Sequence, residues 1–236
     1  MNVFRLEGVG LSKSGTCIFD DLNLGISAGG ISTLLGPSGS GKTSLLRLLN
    51  RLDEPESGRI FYGDLPIISY DIQALRMEVG MVFQRQELFE GSVRDNILFG
   101  PGLHGMAVDP DEILDLVGLD PAARGKDVAN LSGGQAQKVV IGRALAVGPK
   151  VLLLDEPTAN LDPTSTLQIE EVVQHLSRGL GLTCVFVTHN VEQAKRVGDS
   201  AFVLIDGQVV EEGPIGEILT NPRDPRTLRF AKGELR

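Results

Sequence analysis

The stretch Gly36-Pro37-Ser38-Gly39-Ser40-Gly41-Lys42-Thr43 carries the strongest fold signal in the chain. It fits the pattern G-x-x-x-x-G-K-[ST], in which glycines let backbone N–H groups approach phosphates and the lysine reaches the β and γ phosphates. An apolar run at 31–35 precedes the loop, and leucines at helical spacing follow it as far as Asn50. A glycine turn before a helix is the alternative, but strand, loop and helix are the context that a phosphate loop needs. We therefore expect Gly36 to Ser44 to bind a nucleotide, with the Thr43 hydroxyl on Mg²⁺.

An acidic pair, Asp155-Glu156, follows the apolar run Val151-Leu152-Leu153-Leu154. Asp155 lies at the carboxyl end of a predicted strand, where ligands collect in parallel sheets, so its carboxylate can hold Mg²⁺ through water. Glu156 would point beyond the γ phosphate and is the candidate that orients and deprotonates the attacking water. Acidic pairs at strand ends also cap loops, and the phosphate loop upstream is what favours the catalytic interpretation.

A second glycine-rich element, Leu131-Ser132-Gly133-Gly134-Gln135, stands at the start of a predicted helix that runs to about Val147. Ser132 is a natural N-cap, and the exposed N–H groups and dipole of a helix start favour an anion. A turn that merely caps the helix is the alternative. Because one nucleotide pocket needs only one phosphate loop, we expect this second anion site to face another subunit.

Composition narrows the classes of function. The 236 residues are 42% hydrophobic, enough for an ordinary globular interior. They include 22 basic and 31 acidic residues, and the net charge of −9 has the wrong sign for a nucleic-acid partner. No apolar run approaches the roughly 18 residues of a membrane span, and the first residues lack the pattern of a signal peptide, which predicts a cytoplasmic chain. Cys17 and Cys184 lack metal-like spacing and are predicted to be core thiols.

The order of predicted elements indicates an α/β protein. Antiparallel strands are expected near the N-terminus, and short β-rich runs that alternate with helices later in the chain predict a mostly parallel sheet. The segment 85–147 is mainly helical, with breaks expected at 100–102 and 120–121. A short helix from Gly213 and a polar, proline-broken stretch at 221–225 end the chain. We predict a P-loop NTPase core (1–84 and 148–236), including an N-terminal antiparallel β subdomain, and an inserted helical subdomain (85–147). The individual predictions are strands at 3–9, 22–26, 31–35, 80–83, 151–154, 183–187 and 201–205, and helices at 43–50, 163–180 and 191–197.

These motifs, in this order and over nearly the whole chain, resemble the ATP-binding cassette (ABC) family. The resemblance implies that Leu131 to Gln135 is the signature sequence, which donates Ser132 and Gly134 to the γ phosphate held by a partner's phosphate loop, so that ATP joins two copies head to tail. Gln84 matches the Q-loop glutamine, Asn160-Leu161-Asp162 the D-loop and His189 the switch histidine, although a lone histidine after a strand is more often structural. The implied catalytic residues are Lys42, Gln84, Glu156 and His189; the Mg²⁺ ligands are Thr43, Gln84 and Asp155; and the nucleotide contacts are Gly36 to Ser44, Ser132, Gly133, Gly134, Gln135 and Asp162.

Two positions depart from the family pattern. Cassettes usually stack an aromatic ring on adenine from the turn before the first hairpin, whereas the corresponding stretch at 12–16 has none. Phe19 or Phe4 is the expected substitute, and weaker discrimination for adenine is predicted because a stack is worth about 1–3 kcal/mol. Lys138 occupies a position where arginine is commoner in the family. Its ammonium group is a point charge and lacks the planar array of donors of a guanidinium, so looser pairing with neighbouring groups is expected.

The resemblance further implies an importer's separate ATPase subunit, peripheral at the cytoplasmic face of the membrane. Its partners would be multi-span permease subunits, met by Gln84 and the segment 85–99, and indirectly a solute-binding protein. The stretches 99–105, 162–171, 187–190 and 213–227 look similar to phosphate-importer ATPases, which favours phosphate as cargo. Cassettes for other oxyanions, metals, amino acids or nucleotide sugars remain alternatives, as do a soluble assembly-factor ATPase and a degenerate cassette that uses ATP only as a clamp.

Overall fold

Two β-sheets and nine α-helices make up the computed structural model, which describes residues 1–235. The strands are β1 (Asn2–Lys13), β2 (Thr16–Ser27), β3 (Ile31–Leu35), β4 (Ser57–Tyr62), β5 (Leu65–Pro66), β6 (Val79–Val82), β7 (Val151–Asp155), β8 (Thr183–Val187), β9 (Ser200–Ile205) and β10 (Gln208–Pro214). The helices are α1 (Lys42–Leu49), α2 (Ile72–Glu78), α3 (Val93–Leu103), α4 (Pro110–Leu116), α5 (Gly133–Leu145), α6 (Pro163–Leu180), α7 (Val191–Val197), α8 (Ile215–Thr220) and α9 (Pro225–Ala231).

The smaller sheet is antiparallel and has the strand order β2-β1-β4-β5. Strands β1 and β2 form the expected N-terminal hairpin, with Phe4 opposite Ile26 and Leu6 opposite Leu24. The strands β4 and β5 were not predicted from the sequence. In β4 only the second half alternates clearly, with Ile60 and Tyr62 buried. The antiparallel part of the predicted fold is confirmed and is two strands larger than expected.

The larger sheet has the order β10-β9-β3-β8-β7-β6, and all its strands are parallel except β10, which pairs antiparallel with β9. Every residue of β3, β7 and β8 is buried, because helices and the smaller sheet cover both faces. The carboxyl ends of parallel strands meet at one edge of a sheet. The segments after β3, β6, β7 and β8 therefore converge, and these segments carry the phosphate loop, Gln84, Glu156 and His189.

Helices α3, α4 and α5 occupy the predicted helical segment. The break expected at Asp120-Pro121 is confirmed, since a single 3₁₀ turn begins there. The break expected at 100–102 is wrong, because α3 continues through Pro101 to Leu103. Pro101 lies in the last turn with its ring buried, so it costs the helix one backbone hydrogen bond near an end that frays in any case. Residues of these helices and of β7 share one core, so the subdomain boundary at 85–147 stays a prediction.

Helix α6, with 18 residues, is the longest helix and is amphipathic. Its buried face includes Ile169, Val173 and Leu176, while charged and polar side chains lie on the opposite face. Across residues 1–235, no helix combines the length and the apolar character that a bilayer crossing needs.

Two expectations near the chain ends need correction. The predicted non-helical stretch at 221–225 is only four residues long, because Pro225 is the first residue of α9. A proline's missing N–H costs nothing at that position, and Asp224 caps the helix.

Cys184 is buried as expected, and its burial raises the pKa of its thiol to about 12. Cys17 is exposed, so its assignment to the core was wrong. It lies next to the first residue of β2, beside the hairpin turn, where the core does not reach.

Candidate functional site

The phosphate loop curls around the ammonium group of Lys42. Lys42 is buried, and its Nζ donates to the carbonyl oxygens of Gly36 at 2.8 Å and Pro37 at 2.7 Å. Burial lowers the pKa of Lys42, while the nearby Glu156 and Asp155 carboxylates act in the opposite direction. Gly36 has a φ of 151°, and a Cβ there would lie 2.0 Å from the carbonyl oxygen of Leu204, so only glycine fits.

The centre of this loop is prepared for an anion. Ser40 is 4% exposed, and among the described residues its Oγ has no hydrogen-bond partner. Gly39 and Gly41 have φ values of 80° and 104°, which turn the backbone into the start of α1. No acidic side chain occupies the first turn of α1, so its N–H groups and dipole are available to a phosphate.

Thr43 and Asp155 form an oxygen pair beside the loop. The Thr43 Oγ1 donates to Asp155 Oδ2 at 2.9 Å and lies 3.1 Å from Oδ1. Asp155 is buried at the end of β7, and this burial raises the pKa of its carboxyl, opposed by the hydrogen bond from Thr43. A hydroxyl and a carboxylate are the hard oxygen ligands that Mg²⁺ prefers when phosphates and water supply the remaining positions, so this pair fits the ion.

Two other predicted site residues, Gln84 and His189, contact Glu156. Its Oε2 lies 3.2 Å from His189 Nδ1 and 3.4 Å from Gln84 Nε2. The three side chains come from the segments that follow β6, β7 and β8. Glu156 itself has a φ of 44°, a left-handed conformation that a non-glycine residue adopts at a cost of about 1–3 kcal/mol and that is frequent at functional sites. Gln84 points to this carboxylate rather than to the Thr43–Asp155 pair.

The signature segment has its own local structure at the start of α5. Ser132 Oγ accepts from the Gln135 N–H at 3.3 Å, and Gln135 Oε1 accepts from the Ser132 N–H at 3.1 Å, which is a capping box. Ser132 and Gly133 are exposed, whereas Gly134 is buried against α6. A Cβ on Gly134 would lie 2.6 Å from Ser165 Oγ, so glycine lets the two helix starts approach.

The D-loop adjoins the signature segment. Asp162 caps α6 by accepting from the N–H groups of Thr164 and Ser165, both at 3.0 Å, and the Ser165 hydrogen bond lowers the pKa of this carboxyl. A Cβ on Gly133 would lie 3.2 Å from Leu161 Cδ2. The signature and D-loop therefore form one continuous surface, and in this chain Asp162 serves first as a helix cap.

An aromatic groove lies beside Gln84, on the predicted permease-facing segment. Phe83, Phe89 and Phe99 are each nearly half exposed, and the ring centroids of Phe89 and Phe99 are 4.1 Å apart. Arg143 was not singled out from the sequence. Its guanidinium lies 4.8 Å from the Phe89 centroid and donates to the Glu87 carbonyl at 2.7 Å, which joins the signature helix to the Q-loop segment. Arg143 could have been noticed in the sequence, because it is the one charged residue in the largely buried stretch 139–145.

The expected aromatic substitutes do not reach a base. Phe4 is fully buried and Phe19 is 2% exposed, so neither ring can stack on adenine. Both side chains pack in the core between the sheets. A Cβ on Gly41 would lie 2.7 Å from Phe19 Cε1, which places that ring beneath the phosphate loop. Lys138 does make a local contact, because its Nζ donates to the Gly118 carbonyl at 2.9 Å near the end of α4.

Comparison with known sequences agrees with these motifs. The sequence model of the family described as ABC transporter matches residues 19–159. Protein STAR1 of Oryza sativa subsp. japonica is 44% identical over 219 residues, which are 92% of this chain and 63% of STAR1, so the chain spans less than two thirds of that relative. Phosphate import ATP-binding protein PstB 2 of Natronomonas pharaonis is 40% identical over 248 residues, covering 98% of this chain and 86% of that protein.

Solved structures share the fold. The cbiO1 protein of Clostridium perfringens, part of the ABC transporter complex cbiONQ, superposes with a TM-score of 0.85 at 30% identity, covering 97% of this chain and 95% of cbiO1. The dimeric ATP-binding cassette MJ0796 bound to ADP and Pi superposes with a TM-score of 0.79 at 29% identity, covering 90% of this chain and 98% of MJ0796. With the phosphate loop, the acidic pair and the signature helix in their places, the chain belongs to the ABC transporter family as an ATP-binding subunit that hydrolyses ATP.

Proposed function

We propose that the chain is the motor subunit of an importer, in which two copies enclose ATP head to tail and drive a solute through membrane permease subunits. The convergence of Gln84, Glu156 and His189 beside the phosphate loop supports this proposal. A subunit that used ATP only as a structural clamp would have no need for a carboxylate held by two polar side chains at this position.

The residues divide the hydrolytic work among them. Lys42, Ser40 and the loop N–H groups hold the β and γ phosphates. Thr43 and Asp155 would hold Mg²⁺, which neutralises phosphate charge when bound, whereas Gln84, the third expected ligand, contacts Glu156 in this structure. Glu156 orients the attacking water and accepts its proton, and His189 and Gln84 fix the direction of that carboxylate.

The second copy completes each site. Ser132, Gly133, Gly134 and Gln135 of one copy, together with its Asp162, would face the ATP held by the other copy. Two observations support this arrangement: the capping box leaves the start of α5 exposed, and a helix start favours anions. The relative MJ0796 forms a dimer, which is consistent with a dimeric motor.

The aromatic groove would receive the permease. Phe83, Phe89 and Phe99 expose rings that a soluble surface normally buries, and Arg143 ties this groove to α5. We propose that residues 85–147 act as a lobe that passes movement of the signature helix to a permease at the cytoplasmic face of the membrane. A solute-binding protein would contact only the permease, on the opposite face.

Phosphate is the proposed cargo. The supporting observation is 40% identity to PstB 2, a phosphate import ATP-binding protein, over 98% of this chain. The cargo does not contact the ATPase subunit, so this assignment rests on relatedness rather than on a binding site.

Replacement of Glu156 tests its proposed role as the base in ATP hydrolysis. Glu156→Gln keeps the shape and removes the base, so ATP turnover by the purified chain is expected to fall about a hundredfold to ten-thousandfold while ATP affinity persists. An ATP-dependent dimer should then accumulate in size-exclusion chromatography. Glu171→Gln, at an exposed position on α6, is the control. Normal turnover by Glu156→Gln would remove Glu156 from the mechanism.

Reconstitution tests the cargo and the partners. The chain is purified with its associated membrane proteins and placed in liposomes, and solute-stimulated ATP turnover and labelled uptake are measured with phosphate, sulfate, amino acids and metal ions. Stimulation and import with phosphate alone support the proposal. Stimulation by another solute overturns the phosphate assignment, and co-purification of soluble partners only would favour an assembly factor over a transporter.

A further inference from the structure

Gln193 on α7 lies between the two loops that carry Glu156 and His189. Its side chain is buried, with 4% of the residue exposed. Its Oε1 accepts from Thr188 Oγ1 at 2.7 Å, and its Nε2 donates to Thr158 Oγ1 at 2.9 Å and to Glu170 Oε1 at 3.0 Å. All the polar atoms of this amide are therefore engaged inside the protein.

The Glu170 carboxylate fixes the direction of the amide. Glu170 is 3% exposed, and Arg196 donates to both of its oxygens at 2.7 Å, so both oxygens act as acceptors. The NH₂ group of Gln193 must face Glu170, which leaves its oxygen for the Thr188 hydroxyl. That hydroxyl also accepts from the Asn190 N–H at 3.0 Å, so the hydrogen-bond chain runs in one direction.

This amide ties the two catalytic loops together. Thr188 immediately precedes His189, and Thr158 lies two residues after Glu156, whose carbonyl accepts from the Ala159 N–H at 3.0 Å. The contact of 3.2 Å between Glu156 and His189 joins the same two loops on their exposed side. We propose that Gln193 is a positioning residue for ATP hydrolysis, which holds the loop of His189 and the loop of Glu156 at a fixed separation; this inference rests on the proposed roles of those two residues.

Gln193→Glu tests the inference, because it keeps the length of the side chain and removes both N–H donors. The new carboxylate would lie about 3 Å from Glu170, and two like charges at this distance raise the pKa of one carboxyl. Above that pKa the carboxylates repel and the loops separate; below it, the bound proton replaces one of the two lost donors. On the elements around this position, β3 has no charged or titratable group, α6 has Glu170, Glu171, His175 and Arg178, α7 has Glu192, Lys195 and Arg196, α8 has Glu217, and the two loops have Glu156 and His189. Of these, Glu170 contacts the Gln193 amide, and Arg196 contacts Glu170.

Gln174→Glu is the matched control. Gln174 lies on α6, and its Nε2 donates to the Arg196 carbonyl at 2.6 Å, so this variant also breaks a hydrogen bond between α6 and α7 but outside the network. We expect Gln193→Glu to lower kcat about tenfold at pH 8.5 and about threefold at pH 6, with the KM for ATP unchanged. Gln174→Glu is expected to follow the unsubstituted protein at both values.

A second variant, Thr158→Val, tests the inference if Gln193→Glu does not fold. Thr158→Val removes only the contact to the Glu156 loop, and it is expected to lower kcat several-fold without the pH dependence of Gln193→Glu. Circular dichroism and thermal melting establish that each variant is folded at the assay temperature. Normal kcat at every pH in folded Gln193→Glu and Thr158→Val would overturn the inference.

A double variant separates this inference from the proposed function. If Gln193 acts through the loop of His189, Gln193→Glu should add little to the loss caused by His189→Ala. Full additivity of the two losses overturns the inference and leaves the proposed function intact. A normal rate in His189→Ala overturns the proposed role of His189, on which the inference rests. His175→Ala, at an exposed histidine on α6, is the control for His189→Ala.

Discussion

The phosphate loop and the start of the signature helix are both glycine-rich and both stand at the beginning of a helix, yet they are built differently. In the phosphate loop, Lys42 is buried and bonded to two carbonyls of its own loop, and Ser40 is buried with an unused hydroxyl among residues 1–235. At the signature, Ser132 is exposed, and Ser132 and Gln135 satisfy each other. One site is formed within a single chain and the other is presented to the outside.

We expect this difference to separate two roles toward ATP, which are binding by a single chain and turnover after assembly with a second chain. A closed loop with a buried lysine can bind a triphosphate within one chain, so affinity should depend on it. An exposed helix start gains a ligand only when another surface brings one, so it should control assembly and turnover rather than binding by the single chain. The predictions below test this separation, from the largest expected effect to the smallest.

Lys42→Ala should have the largest effect on nucleotide binding. It removes a buried ammonium and leaves the Gly36 and Pro37 carbonyls without their donor, so ATP affinity should fall about a hundredfold or more, as expected for charge-assisted contacts in a buried site. Isothermal titration calorimetry measures this, with Lys232→Ala at an exposed position as control. Unchanged affinity would contradict the assignment of binding to this loop.

Ser132→Ala should spare binding and reduce turnover. Single-chain ATP affinity is expected to stay within about twofold, whereas turnover falls roughly tenfold to a hundredfold, the range for loss of one preorganised donor. The variant also loses a helix cap worth about 1 kcal/mol. Asp71→Ala, which removes the cap of α2, is matched for that loss and should keep normal turnover. An equal fall in binding and turnover would contradict the separation.

Gly134→Ala should destabilise the fold at the signature surface. The added Cβ would lie 2.6 Å from Ser165 Oγ and 2.8 Å from Ser165 Cβ, and such overpacking costs about 1–3 kcal/mol. Urea denaturation measures the loss, and Ser165→Gly in the same chain should recover most of it. Gly102→Ala, which meets nothing within 4 Å, is the control and should not destabilise the protein. An unchanged midpoint for Gly134→Ala would show that the two helix starts are not packed closely.

Base discrimination should be the smallest effect. Because Phe4 and Phe19 are buried, the stack worth about 1–3 kcal/mol is missing, and ATP and GTP should bind within about tenfold of each other. Competition binding with both nucleotides measures the ratio. A preference for ATP of about a thousandfold would contradict this prediction, because it exceeds what the loss of one stack allows.

Local patterns allowed the phosphate loop, the acidic pair and the signature cap to be predicted, because each depends on residues that are close in sequence. Ser132 and Gln135 of the capping box are three positions apart, and the fold around Gly36 to Thr43 follows from adjacent strand and helix signals. The misses are contacts between distant residues. Gln193 and Thr158 are 35 residues apart, and Arg143 and Glu87 are 56 residues apart, so no periodicity in the sequence predicts that they pair.

The sequence also did not predict which residues of β2 are buried. Phe19 and Cys17 lie on the same strand, β2, two residues apart, yet Phe19 packs in the core and Cys17 is exposed beside the hairpin turn. The strand pattern indicated a β-strand but not where its buried part begins, which is decided by pairing with β1.

Phe19 under Gly41 has a thermodynamic consequence. Since this ring supports the nucleotide-binding turn from below, opening of the N-terminal hairpin and loss of the turn should occur as one cooperative unfolding event. ATP should then slow amide hydrogen exchange in β1 and β2 as strongly as in the turn itself.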